Sequence, residues 1–313
     1  MTEQPSSPAP ASDASRFWTK LGAEHAHQLS EHGVETFKRK QALRYFTWRW
    51  RPRAMLRSEQ LRFLVRNTSP RLWAAVLREP IPVDDELWEG SGFSPGERRM
   101  TVIAARLLWA YAQRHGSRAV LELAEPELGA PLPIRWHGRL ISQDLANCAI
   151  ETRAIERALA GRSPADIVEI GGGYGRTAYA LLSRYPDARY TIIDIEPART
   201  ISQRYLSELF PAERLRFLSP EQAGSLPDEA FDLGVSISSL QEMTPEQVVG
   251  YLRLLDRTVS GTVFLKQWET WHNPDDDVEL RFADYPVADA WQQLLYETAP
   301  VQTRFVQAAW RTR

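Results

Sequence analysis

The stretch Ile167-Val168-Glu169-Ile170-Gly171-Gly172-Gly173-Tyr174-Gly175-Arg176-Thr177 decides the fold: residues suited to a buried strand run straight into glycines and then into a helical pattern. Glycines at such a corner let the chain turn sharply and bring bare backbone against a ligand that side chains would hold away. A dinucleotide loop needs G-x-G-x-x-G. Counted from Gly171 the sixth position is Arg176, and counted from Gly173 it is Ala178, so that pattern fails from both. The run reads instead as E-x-G-x-G-x-G, with Glu169, Gly171, Gly173 and Gly175 each two residues apart and Gly172 completing the triple glycine.

Downstream, short β-branched runs alternate with helical stretches. Strands are predicted at Ile167–Ile170, Tyr190–Asp194, Leu215–Leu218, Phe231–Ser236 and Thr262–Leu265, with helices at Arg176–Arg184, Ala198–Leu209 and Pro245–Thr258. That alternation predicts an α/β fold, a Rossmann-like doubly wound parallel sheet whose ligands bind beyond the carboxyl ends of the strands. Those ends supply the cofactor-site candidates: Glu169 with the glycines, Asp194 and Ile195 after the second strand, Ser219 after the third and Ser236 in the fourth. Asp194 follows Gly173 by 21 residues, the interval at which an acid binds ribose hydroxyls in related loops. Asp232, at the start of the fourth strand, reads as structural.

Upstream the texture is helical, broken by Pro70, Pro80, Pro82 and Pro95. The Pro-rich stretch 124–133 is the expected boundary. The expected organisation is a disordered leader over 1–15, a mainly helical N-terminal cap or substrate domain over 16–130, and a ligand-binding domain over 131–313. A further helix is predicted over Asn147–Gly161. With 313 residues and 43% hydrophobic composition the chain can bury a core without disulfides. A net charge of −2 provides no global field for nucleic acid or an anionic membrane. The single cysteine, Cys148, reads as a buried thiol and makes the cytoplasm the expected compartment. No apolar run approaches the roughly 20 residues of a membrane span.

The glycine pattern with its two acids resembles the first motif of class I methyltransferases that use S-adenosylmethionine (SAM). SAM carries a sulfonium and an ammonium, not a pyrophosphate, so a carboxylate at the strand end suits it. Several blocks together are similar to the sugar O-methyltransferase family, from about Phe37 to Trp291. They are Phe37-Lys38-Arg39-Lys40 with Tyr45-Phe46-Thr47-Trp48, Gly138 to Asp144, Glu169 to Gly175, and Ser238-Ser239-Leu240-Gln241-Glu242-Met243. The resemblance implies SAM as cofactor and methyl transfer to a hydroxyl on a sugar or glycosylated small molecule. Membrane and nucleic-acid partners are not expected from it, and homo-oligomerisation is left open.

Methyl transfer to an alcohol needs an oriented hydroxyl and a base within reach. Glu242, after the fourth strand, reads either as that base or as a carboxylate preceding a helix. His272, after the fifth strand, reads as a second base candidate or as an exposed histidine. Asp144 is a third catalytic candidate; His137, Ser142 and Gln241 are substrate-contact candidates. Asp275-Asp276-Asp277 reads as a solvated charge run, and no metal is expected. Phe37–Arg53 holds seven cations and no acids; it reads as an amphipathic helix or as a grip on phosphates, the feature an RNA methyltransferase would use. His25 and His27 diverge on a helix and do not pair. N- or C-methylation of another small molecule and a non-catalytic SAM-binding scaffold are the remaining alternatives.

Overall fold

The computed structural model describes residues 15–40, 58–273 and 275–313. The expected leader, apart from Ser15, and residues 41–53 of the basic-aromatic segment, with Tyr45, Phe46 and Trp48, lie outside the described residues.

A seven-stranded sheet organises the molecule. In chain order its strands are β3 (Asp166–Ile170), β4 (Arg189–Ile193), β5 (Leu215–Leu218), β6 (Phe231–Ile237), β7 (Val259–Trp268), β10 (Gln292–Thr298) and β11 (Phe305–Arg311). Two small hairpins, β1 (Arg135–Trp136) with β2 (Arg139–Leu140) and β8 (Thr270–Asn273) with β9 (Val278–Arg281), lie outside it. The spatial order is β10-β11-β7-β6-β3-β4-β5. The five strands from β5 to β7 run parallel, and β11 runs antiparallel to both its neighbours. All five predicted strands are present, while β10 and β11 extend the sheet past the last of them. The result is a Rossmann-like α/β sheet. Its strand order reverses between β3 and β6, and the crevice there opens at the ends of both strands.

Helices α1 (Arg16–His32), α2 (Glu59–Arg66), α3 (Pro70–Arg78) and α4 (Pro95–His115) precede the sheet; α5 (Gln143–Leu159), α6 (Arg176–Arg184), α7 (Ala198–Ser207) and α8 (Pro245–Thr258) cover it. Their starts follow from local chemistry. Ser94 with Glu97 and Thr244 with Gln247 form capping boxes ahead of Pro95 and Pro245. Helix α5 starts ahead of the predicted Asn147 because the Ser142 hydroxyl accepts the Leu145 amide at 3.0 Å.

Strand β3 is apolar on both faces, as a central parallel strand must be. Ile167 packs with α5, α6 and α7, and Val168 and Ile170 pack with α8. A third core joins α4 to the first half of α5, whose second half belongs to the sheet core. In the helical layer the fully buried Arg106 guanidinium donates to the carbonyls of Arg135, Val76, Glu79 and Pro80. Among the described residues no helix is long and apolar enough to cross a membrane.

Candidate active site

The chain leaves β3 through Gly171 and Gly173, with φ of +73° and +56°, a region L side chains rarely adopt. The two glycines differ in what surrounds them. A Cβ on Gly171 would collide with the Ser239 hydroxyl, whereas one on Gly173 would meet nothing within 4 Å. At Gly171 two loops touch; at Gly173 bare backbone borders open space. The Gly175 amide closes the turn on the Gly172 carbonyl at 2.9 Å, and α6 starts one residue later.

Two carboxylates flank this loop. Asp194 accepts the Gly173 amide at 2.9 Å and the Ile195 amide at 2.8 Å, so the acid after β4 fixes the loop after β3. Glu169 lies beneath Gly172, almost wholly enclosed, and accepts the Tyr190 hydroxyl at 3.0 Å. Burial pushes both carboxyls up to about 7, Glu169 against the bond from Tyr190 and Asp194 against its two amide bonds. Enclosed acids of this kind regain the ionised form when a cation or a set of hydroxyl donors arrives.

Across the crevice the side chains bind one another. Gln267, fully buried on β7, accepts the Ser239 amide at 3.0 Å and the Gln241 amide at 3.4 Å. Its own amide donates to the Ser236 carbonyl and hydroxyl, and the Ser236 hydroxyl donates to the Ile170 carbonyl at 3.1 Å. Gln241 is spent in the same way, accepting the Trp268 amide at 2.7 Å. Glu242 ends a single 3-10 turn, Leu240–Glu242, and is buried beside Tyr285. The cap of α8 belongs to Thr244 and Gln247, so Glu242 is not a helix-capping carboxylate.

The other expected site residues disperse. Asp144 reaches the glycine loop, accepting the Tyr174 hydroxyl at 2.9 Å. Ser142 caps α5 and donates to Glu125. His137 turns at φ +50° between β1 and β2, exposed, with its amide on Glu79. His272 is exposed on β8, facing Asp277 at 3.9 Å. Ser219 forms a capping box with Gln222. Asp232 is structural: its carboxylate accepts the amides of Ala165 and Asp166.

Two readings need correction. The aspartate run is not merely solvated: Asp276 accepts the amides of Arg16 and Phe17 at 3.0 and 3.2 Å, and Asp275 pairs with Lys20. With the Ser15 hydroxyl on the Glu242 carbonyl, these contacts lay α1 beside the crevice. Farther along α1, Gly22 abuts Glu196 and Pro197 after β4. The second concerns the basic run. Only its residues 37–40 are described: residues 35–39 form turns, and Lys38 is buried against Glu125 at 2.7 Å and over the Tyr205 ring. Sequence reasoning missed Tyr174, although it sits inside the motif, and Gln267 and Asp276, whose partners are remote in the chain. Among the described residues no three His, Cys, Asp or Glu side chains converge as a metal site.

The donor set fits SAM: an open glycine backbone, an acid placed for ribose hydroxyls, and enclosed negative charge for a cationic ligand. No protein-family profile matches the chain. A malonyl-[acyl-carrier protein] O-methyltransferase of Geobacter sulfurreducens is 34% identical over 105 residues, 32% of this chain and 39% of that protein. The chain therefore spans about two fifths of that relative's length. Among solved structures, the 1,6-didemethyltoxoflavin-N1-methyltransferase of Burkholderia thailandensis, with bound S-adenosylhomocysteine, is 19% identical over 50% of this chain and 75% of its own, with a TM-score of 0.42. The N-methyltransferase NodS of Bradyrhizobium japonicum is 14% identical over 51% and 84%, with a TM-score of 0.39. The [4+2]-cyclase SpnF is 14% identical over 52% and 81%, with a TM-score of 0.42. Likenesses this loose leave the chemistry to the site itself.

Proposed function

We propose that the protein is a SAM-dependent methyltransferase acting on a hydroxyl of a sugar or glycosylated small molecule, with the helical residues 16–130 as a cap over the domain 131–313. The observation that carries the reading is the open backbone of Gly173 bonded to Asp194, a paired loop and acid with room for a ligand. The sequence similarity to an O-methyltransferase over 105 residues supports it. The sugar-family sequence blocks support the acceptor class.

When bound, SAM supplies a methyl group on a cationic sulfur, which departs as a neutral thioether. The protein's part is to hold and to deprotonate. Asp194, which keeps the Gly173 loop in place, would take the ribose hydroxyls. Enclosure of Glu169 and Asp194 favours a cationic ligand over a neutral one. Glu242, on the opposite rim, would accept the proton of the acceptor hydroxyl.

The test is incubation with SAM carrying an isotopically labelled methyl group and a library of glycosides, read by mass spectrometry of products. The expected result is a labelled methyl ether on a glycoside with matching S-adenosylhomocysteine. Glu242→Gln is expected to spare SAM binding and depress turnover. SAM bound but never consumed would leave a binding scaffold.

A further inference from the structure

Behind the glycine loop lies a cluster of buried charges with no part in holding or deprotonating an acceptor. Arg176, the first residue of α6, stands one residue past Gly175. Its guanidinium reaches α5, where Nη1 donates to Glu151 Oε2 at 2.7 Å and Nη2 to Oε1 at 3.2 Å. The Lys266 ammonium on β7 donates to the same Oε1 at 2.7 Å. Glu151 and Lys266 are enclosed and Arg176 nearly so. Cys148 Sγ lies 3.1 Å from Arg176 Nη1, but burial pushes its thiol up to about 12 and it stays neutral. Asp144, which accepts the Tyr174 hydroxyl, also lies within range of the guanidinium charge.

Arg176 stands where local electrostatics disfavours a cation. Helix α6 has no side-chain cap and no acid in its first turn, whereas α4 and α8 open with capping boxes. A positive side chain there adds to the positive end of the helix dipole, an arrangement suited to phosphate. Its field reaches Glu169, the enclosed acid beneath the loop. SAM brings a sulfonium to that loop, so an uncancelled Arg176 would oppose the ligand. Glu151 supplies the cancellation. Burial works against its ionised form, yet Arg176 and Lys266 hold its carboxyl below the usual carboxylate range. For stability alone, apolar side chains of similar volume would join α5 to α6 as well as a buried ion pair does; what they lack is the charge.

We propose that Glu151 is a specificity-determining residue of the cofactor site: by cancelling the Arg176 charge behind the glycine loop, it sets how strongly the site favours cationic SAM over the neutral product. The inference rests on the SAM reading above and adds how the site tells the two apart. Lys266 holds Oε1 in place, so that the carboxylate meets the guanidinium with both oxygens. Methyl transfer removes the positive charge from the ligand, and with it the attraction that this balance provides.

The experiment is calorimetric titration of SAM and of S-adenosylhomocysteine, separately and without acceptor, at pH 8. The readout is the ratio of the two dissociation constants. The ligands differ by one methyl group and one positive charge, so a misshapen loop weakens both and leaves the ratio where it was. Lys266→Met keeps the Arg176–Glu151 pair. Adding Glu151→Gln to it bares Arg176, with no buried lysine left to shed a proton in compensation. From the single to the double variant, SAM is expected to weaken about fivefold or more relative to S-adenosylhomocysteine. Arg176→Gln leaves Glu151 paired with Lys266 and is expected to shift the ratio the other way by a similar factor; it reads the proposal even if the double variant does not fold. An unchanged ratio in Arg176→Gln, or two affinities falling in step between the single and double variants, would overturn the proposal and leave the cluster a structural ion pair. If the wild type binds neither ligand, the SAM reading itself falls and the proposal with it.

Discussion

The two sides of the crevice are built on different terms. On the β3–β4 side, backbone amides are turned onto carboxylates: Gly173 and Ile195 bond Asp194, and Glu169 is shut beneath the loop. On the β6–β7 side, neutral side chains satisfy one another through Gln267, and a few are left over. Fixed backbone with buried negative charge suits a cofactor of constant shape. A rim of neutral side chains suits an acceptor that differs from one enzyme to the next. The first arrangement is dictated by glycines and acids at set intervals; the second depends on which distant residues happen to meet.

The largest effect that would sharpen this contrast is steric. Gly171→Ala places a Cβ on the Ser239 hydroxyl in a left-handed conformation, which should cost roughly 2–4 kcal/mol in chemical denaturation. Gly173→Ala faces open space, so stability should fall by only about 1–2 kcal/mol while SAM affinity collapses. Equal losses of stability at both positions would erase the distinction between a loop contact and a ligand cradle.

Next comes Asp194→Ala. It removes the expected ribose partner and leaves two amides without theirs. SAM affinity should drop by about 1.5–3 kcal/mol in calorimetry. A smaller loss than that of Glu242→Gln would reverse the roles assigned to the two sides.

The third effect is pH dependence. Burial raises Glu169 and Asp194 to about 7. The ligand-free folded protein therefore holds protons that the unfolded chain releases above about pH 4. Their contribution to stability is present at acidic pH and is lost as pH rises through about 7. SAM binding has the opposite sign, because the ionised carboxylates receive it. Affinity should tighten about tenfold per group between pH 6 and pH 8, and Asp194→Asn should remove one such step. A flat profile in the wild type would show that neither acid meets the ligand. The smallest effect belongs to Asp276→Ala, which removes the acceptor of two α1 amides and should cost about 1 kcal/mol in thermal unfolding.

How far the sequence could be read follows the same division. The glycine loop, the strand on either side of it and helices α6 and α8 are local: apolar runs, glycines and Pro-led caps lie next to the residues they govern. Strand β10 was not legible because its residues are exposed or half-buried at the sheet edge, with no regular alternation to mark it. Strand β11 is almost wholly buried and carries two alanines, which give no strand signal. Ser238, at φ +58°, carries no signal at all, since a left-handed serine is spelled like any other. His272 has the chemistry of a base but lies exposed on a hairpin, which spelling alone does not reveal. The aspartate run failed for another reason: its partners on α1 are some 260 residues away, and no spacing rule reaches that far.

The Gly173–Asp194 pair is the proposed seat of SAM. Calorimetric titration of S-adenosylhomocysteine into the wild type and Asp194→Ala at pH 8 tests it most directly. One site per chain in the wild type, weakened at least tenfold in the variant, is the predicted result; no binding heat in the wild type, or the same affinity in both, would contradict it.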